Sequence, residues 1–385
     1  MRMDDEYKQV IDQIRKNEVH LDSIRGCMIG GAIGDALGYA VEFSGEKQIF
    51  AKYGEKGIIQ YELDPLTGKA LISDDTQMAL FTANGLLVGD TRGCLRGIRA
   101  LPSDYVAMAY KNWLHTQERS INDEPDCTRV SWLLDVPELY HRRAPGNTCL
   151  SALRSGRTGS VEEPINNSKG CGGIMRVAPL ALENYNVEIE VLDKEGAEIA
   201  AITHGHSLGY MPAAVLTHII SRIVFWPEPR PLKEIVIEAR DTIADIFRGD
   251  EHLGELTDII DLAIELAENR DNDLDNIHRL GEGWVAEETL AIAIYCALRH
   301  VDNFSAGIIA AVNHNGDSDS TGAVTGNILG ALCGYEAIDP KWKADLELKD
   351  VILEMADDLC HGCQMSEYGR YRDADWIRKY VEHKR

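Results

Sequence analysis

The chain has 385 residues, of which 44% are hydrophobic and 26% charged; that is the composition of a packed globular protein, and the length admits one large domain or two to three ordinary ones. Its 63 acidic and 39 basic residues leave a formal net charge of −24, which argues against non-specific binding to nucleic acid or to an anionic membrane, since both need a positive surface. Nine cysteines at irregular spacing in so long a chain argue against a disulfide scaffold and for free thiols in a reducing compartment.

The first twenty residues, MRMDDEYKQVIDQIRKNEVH, are charged throughout and lack the apolar core of a signal peptide. No apolar run approaches the ~20 uninterrupted residues of a membrane helix. A cytoplasmic protein is expected, in a compartment where magnesium is plentiful and calcium scarce. Residues 21–43 read as an apolar helix interrupted by Gly30, Gly31, Gly34 and Gly38. Each glycine in a helix interior costs about 1 kcal/mol against alanine, so four of them point to close helix packing or to backbone lying against a ligand. KGIIQYELDP (56–65) reads as one short strand. Residues 73–89 open on SDDT, a cap-type start, and continue as a helix. Loops are expected near 90–104, 117–129, 155–173 and 226–233. Residues 197–225 read as one long apolar helix, and 256–269 carries apolar residues at the three-and-four spacing of an amphipathic helix. Helices are also expected over 286–300, 304–314 and 320–338. No repeat period, low-complexity tract or linker is visible, so one large all-α domain is expected.

Two oxygen-rich tetrapeptides stand out: SDDT at 73–76 and DSDS at 317–320. Each precedes a helix, and a single Ser or Asp there is explained by capping the free N–H groups of the first turn. One cap needs one acceptor, whereas each of these turns brings two carboxylates and two hydroxyls. Four carboxylates held together repel, which drives protons onto them, and a helix N-terminus offsets only about half a charge. A divalent cation would resolve the conflict. An all-oxygen donor set points to a hard ion such as magnesium, manganese or calcium.

At this point the chain resembles the ADP-ribosylglycohydrolase family. The matching stretches are GCMIGGAIGDALGYAVEF, SDDTQMAL, GNTCLSAL, GCGGIMRVAPLAL, THGHSLGY, GEGWVAEETLAIAIYCALR and GDSDSTGAVTGNILGALCGYEAI. They occur in the family's order across roughly residues 24–340. The resemblance implies a compact orthogonal helical domain over 24–385, preceded by an extension over 1–23 and built around a binuclear Mg2+ or Mn2+ site, with Ca2+ as a further option. By position, Ser73, Asp74 and Asp75 match the first metal-binding turn, and Asp317, Asp319 and Ser320 match the second. Glu42 matches an acid beside the metals, and Glu42, Asp75 and Asp319 are the candidate catalytic carboxylates. The implied partner is an ADP-ribosylated protein or another ADP-ribose conjugate, with no role for nucleic acid or membrane.

Other motifs take their weight from this resemblance. Gly170, Cys171, Gly172 and Gly173 precede an apolar segment containing Met175. Such a loop can offer N–H groups to a diphosphate, although a glycine cluster by itself is an ordinary turn. Asn147 and Thr148 are candidate ribose or phosphate contacts, with helix capping as the plain alternative for Asn147. Some relatives carry an Asp where this chain has Ala144. His204 is a candidate substrate contact, whereas imidazole ligation by His204 or His206 is not needed in an all-oxygen site. CHGC at 360–363 has zinc-type spacing without a partner pair. Trp284 in GEGW is read as a buried tryptophan, with base stacking as the alternative. The expected reaction is hydrolysis of the bond between ribose C1″ and a side-chain nitrogen, with arginine as the first choice. Serine-linked or O-acetyl-ADP-ribose is the alternative substrate. The rivals from other classes are a non-catalytic ADP-ribose-binding or immunity module and a calcium-stabilised structural protein.

Overall fold

In a computed structural model of the chain, which describes residues 3–97, 100–183 and 187–385 (3–5 by backbone alone), the glycine spacing of two helices sets the centre of the fold. Leu21–Tyr39 and Ser318–Cys333 lie antiparallel at backbone contact. A Cβ on Gly26 would fall 2.1 Å from the Gly330 carbonyl oxygen, one on Gly30 2.2 Å from that of Gly326, and one on Gly34 1.9 Å from that of Gly322. A Cβ on Gly38 would meet the Ser318 oxygen at 2.1 Å. Positions 26, 30, 34 and 38 therefore face 330, 326, 322 and 318 in a single register. Four-residue spacing keeps all of them on one helix face. Asn327 clasps the pair by donating from Nδ2 to the Cys27 carbonyl at 2.9 Å. The expectation of close packing around these glycines is met, and the contact delivers the end of the first helix to the start of the second.

A third helix, Asp74–Arg96, is anchored to the first. Asp35 is fully buried and accepts from the Ser73 amide at 2.9 Å, the Thr76 amide at 3.1 Å and the Thr76 hydroxyl. A carboxylate on one helix thus caps the N-terminus of another, where free N–H groups and the helix dipole both favour negative charge. The segment before this helix is held by the buried Arg143–Glu347 pair, with Glu347 Oε2 accepting from the Ile72 amide at 3.2 Å. On the other side, residues 281–283 clamp the second acidic turn: the Asp317 amide donates to the Glu282 carbonyl at 2.8 Å. Gly316, with φ +115°, lies so close that a Cβ would sit 2.0 Å from that same oxygen.

Around this centre, 17 α-helices are present among the described residues, joined by short 3-10 segments. Their buried apolar side chains form one contiguous cluster. The all-α expectation holds. The short strand expected at 56–65 is instead turn and irregular chain, and the only bridges among the described residues are Ala70 with Leu346 and Gly170 with Val285. Asn313 takes the Ile58 amide at 2.7 Å and donates to the Ile58 carbonyl at 2.9 Å, so a side chain replaces the sheet partner that this run would need. The single helix expected over 197–225 is two, Ile189–Ala201 and Ser207–Phe225. His206 breaks it by capping the second helix, with Nδ1 accepting from the Leu208 amide at 3.0 Å. Ser207–Phe225 is long and apolar enough to cross a membrane, yet 78% of its apolar window is buried inside the protein. The loop expected at 90–104 begins late, because the preceding helix runs on to Arg96 and closes at Gly97 in the left-handed region. Residues 98–99 of that loop and residues 1–2 of the expected extension lie outside the described residues.

Candidate metal centre and substrate cleft

The two acidic turns meet. Asp74, Asp75, Asp317, Asp319 and Ser320 line one cleft of about 500 Å3 together with Glu42. The helix register explains the meeting. With Gly38 opposite Ser318, the three residues after the first helix carry Glu42 to Asp317 and Asp319. Ligand oxygens of Glu42, Asp317 and Asp319 lie within 4.8 Å of one another. Asp74 and Asp75 belong to the same cleft outside this tightest trio, and Asp74 Oδ2 accepts from the Gly146 amide at 3.3 Å. Ser73 sits behind the wall, where its hydroxyl accepts from the Asp75 amide at 3.2 Å, and it does not line the cleft. Within the second turn, Asp317 caps its own helix by accepting from the Ser320 amide at 3.3 Å.

The electrostatics follow from burial. Glu42, Asp74, Asp75, Asp317 and Asp319 are all buried. Burial and then the charge of Asp319 hold the carboxyls of Asp74, Asp75 and Asp317 well above the usual carboxylate range. Glu42 is pushed to about 10, by burial first and then by Asp319, Asp317 and Asp74. Asp35 rises to about 7 for the same two leading reasons, burial and Asp319. Glu42 Oε2 and Asp75 Oδ2 are buried and have no hydrogen-bond partner. Buried carboxylate oxygens left without a donor are costly, and several carboxylates crowded into one cleft need positive charge. The donor set fits a divalent cation, since it is rich in oxygen and without imidazole.

The remaining walls come from three segments. Asn147 and Thr148 line the cleft at the start of Asn147–Arg154, whose cap residue is Gly146, so Asn147 is not the cap. Gly170, Cys171, Gly172 and Met175 line it as well, whereas Gly173 does not. A Cβ on Gly173 would press on Ala200 and on the Gly209 carbonyl, each at 2.9 Å, so packing alone accounts for that glycine. Two N–H groups of this loop are already committed: Cys171 donates to the Trp284 carbonyl at 3.3 Å, and Gly170 donates to Ser168 Oγ at 3.4 Å. His204 lines the cleft. It is depressed to about 3 by burial and by Arg176, so it stays a neutral imidazole, with Nδ1 bonded to the Thr203 hydroxyl at 2.8 Å.

Trp284 is 42% exposed and faces the cleft, so the expectation of a buried tryptophan gives way to an open ring at the rim. Phe43, 75% exposed, and Arg142 also line the rim and were not singled out from sequence. Each is an unremarkable loop residue until its neighbours are known. Asp35 was missed too, although a carboxylate inside an otherwise apolar glycine-rich helix is a legible anomaly. Ala144 lies in the cleft wall in the left-handed region, with φ +52°. His206 is a cap outside the cleft. Cys360 and Cys363 form no disulfide, nor do the other seven cysteines, and the Cys363 carbonyl accepts from the Cys94 thiol at 3.6 Å.

Comparison with known proteins places this geometry. Residues 16–369 match the family described as ADP-ribosylglycohydrolase. The chain is similar to ADP-ribosyl-[dinitrogen reductase] glycohydrolase of Rhodospirillum rubrum, at 24% identity over 85% of this chain and 91% of that protein. It is also similar to ADP-ribosylarginine hydrolase Tri1 of Serratia proteamaculans, at 25% identity over 88% and 79%. Among solved structures, an ADP-ribosylglycohydrolase-related protein complex shares the fold with a TM-score of 0.60 and 24% identity, covering 89% of this chain and 98% of that one.

Proposed function

Because the chain belongs to the ADP-ribosylglycohydrolase family and is a glycohydrolase, we propose that it removes ADP-ribose from a modified protein by hydrolysing the N-glycosidic bond to an arginine side chain. The observation that carries this reading is the convergence of Asp74, Asp75, Asp317, Asp319 and Glu42 in one cleft. Two features favour arginine. A relative is named for ADP-ribosylarginine, and an acidic cleft attracts a guanidinium cation.

Asp74, Asp75, Asp317, Asp319 and Ser320 would hold two divalent cations, Mg2+ or Mn2+, with Ser73 supporting the first turn. When bound, the cations supply Lewis acidity to the ribose hydroxyls and to the attacking water. Cleavage builds positive charge at the anomeric carbon, and the carboxylates around it stabilise that charge. Glu42, whose Oε2 is free of protein partners, and Asp319 take a proton from the water and return one to the leaving nitrogen, with Asp75 completing the carboxylate set. Asn147, Thr148, Gly170, Cys171, Gly172, Met175 and His204 shape the pocket for the ADP-ribose moiety, and Gly173 packs the loop behind them. Neutral His204 can donate or accept without adding charge. Trp284 and Phe43 offer apolar faces to the nucleotide or to the target protein. In this reading residues 24–385 form the catalytic domain, residues 1–23 extend it, and the enzyme works in the cytoplasm.

The test is to incubate the protein with arginine-ADP-ribosylated protein, and in parallel with the serine-linked form, in the presence of Mg2+ or Mn2+, and to quantify free ADP-ribose. Release from the arginine-linked substrate is expected, with Asp317→Ala reducing the rate by at least about 100-fold. Release from the serine-linked form alone would move the assignment to O-linked substrates. Binding without release from either substrate would leave a recognition module in place of the enzyme.

A further inference from the structure

Cys171 adds a donor that an oxygen-only metal centre leaves out. Its thiol donates to Asp317 Oδ2, with the sulfur 2.7 Å from that oxygen, and Cys171 lines the cleft with Glu42, Asp75 and Asp319. Its backbone is fixed by the bond to the Trp284 carbonyl and by the antiparallel bridge between Gly170 and Val285. Two carboxylate oxygens of residues that line the same cleft, Glu42 Oε2 and Asp75 Oδ2, are unpartnered, on residues only 7% and 3% exposed. A second sulfur, Met175 Sδ, stands 4.0 Å from Ser320 Oγ.

Resting on the metal-dependent reading above, we propose that Cys171 ligates through sulfur a divalent cation shared with Asp317, and so biases this centre toward softer ions than magnesium. With metal–oxygen bonds of ~2.0–2.2 Å and metal–sulfur bonds of ~2.3 Å, donors that now touch through a hydrogen bond need to part by only about 0.5–1 Å to share one ion, which takes the place of the thiol proton. On binding, the S–H bond is replaced by an S–metal bond and the proton passes to solvent. Manganese, iron(II), cobalt and zinc gain from a thiolate in that order of increasing softness, whereas magnesium gains almost nothing. The thiol therefore acts on the choice of ion while the oxygens hold it.

The full chain, stripped of metal and kept reduced, is titrated with Co2+ and followed by calorimetry and by near-ultraviolet absorption. The expected result is a thiolate-to-cobalt charge-transfer band that rises with the bound ion and is absent in Cys171→Ser. That variant should also bind Zn2+ about tenfold more weakly while its Mg2+ affinity stays nearly unchanged. Cobalt binding to the wild type without the band overturns this inference alone, as does a band that persists in Cys171→Ser. No cobalt binding at all overturns both this inference and the metal centre beneath it. The wild-type band is a test in its own right should the variant fold poorly.

Discussion

Asp35 shows how one side chain sets up a site it does not line. It is absent from the cleft wall, yet both of its oxygens hold the first acidic turn, through the amides of Ser73 and Thr76. Asp35→Asn keeps one acceptor but turns an NH2 group toward N–H donors, which leaves buried donors facing each other. Residues that orient ligands in this way typically cost about 10–100-fold in metal affinity when changed. Calorimetric titration of Asp35→Asn with Mn2+ should show a loss in that range together with a lower melting temperature. An affinity equal to wild type would mean that the turn keeps its shape without Asp35.

The pairing of Leu21–Tyr39 with Ser318–Cys333 is the element on which the centre depends. Gly34→Ala would put a methyl 1.9 Å from a backbone oxygen, and backbone cannot swing aside as a long side chain can. Overpacking of this kind costs about 1–3 kcal/mol or more. It would also slide Glu42 relative to Asp317 and Asp319, because the same register places all three. The expected outcome is a melting temperature lowered by several degrees and weakened divalent-cation binding in the same variant. Gly254 is the internal control: a Cβ there meets nothing within 4 Å inside Leu253–Glu268. Gly254→Ala should be neutral or stabilising by up to about 1 kcal/mol, with metal binding intact. Equal effects in calorimetric melts of the two variants would refute the special role of the glycine contact.

At the scale of the whole molecule, the buried acids make stability depend on pH and on metal together. In the metal-free protein Glu42 titrates near about 10 against an ordinary 4.5, and Asp35 near about 7 against 3.8. Between the ordinary and the raised values the folded state holds more protons than the unfolded one, so stability falls as pH rises. Below pH 4 the contribution of these groups is fully present. It is lost progressively up to about pH 7 for Asp35 and toward about pH 10 for Glu42. Thermal melts of the metal-free protein should therefore drop from pH 5 to pH 8. Saturating Mn2+ should raise the melting temperature most at the upper end, since the ion binds deprotonated carboxylates. A metal-free melting temperature that climbs over this range would contradict the crowding of carboxylates in the cleft.

Much of this was legible from local signals. Ser73–Thr76 and Asp317–Ser320 carry more acceptors than a helix start can use, and the four-residue spacing of Gly30, Gly34 and Gly38 announces a face with no room for side chains. Both are short-range chemical patterns, and they identify the helices, the metal-type turns and the family. Other features depend on neighbours remote in sequence. Asn313 takes the hydrogen bonds that would have drawn residues 56–65 into a strand, and His206 splits what reads as one apolar helix. Trp284 is exposed because its loop clamps Asp317 instead of packing inward, and Phe43 and Arg142 gain meaning only from the rim they share. By itself the sequence determined which residues bring charge and which helices approach closely, because composition and spacing are written in the chain. Only the tertiary structure decided that Glu42, Asp317, Asp319 and the Cys171 sulfur meet, because the antiparallel register joins two helices from opposite ends of the chain, the Asp35 cap ties the first acidic turn to one of them, and the Cys171 loop reaches Asp317 across 146 residues.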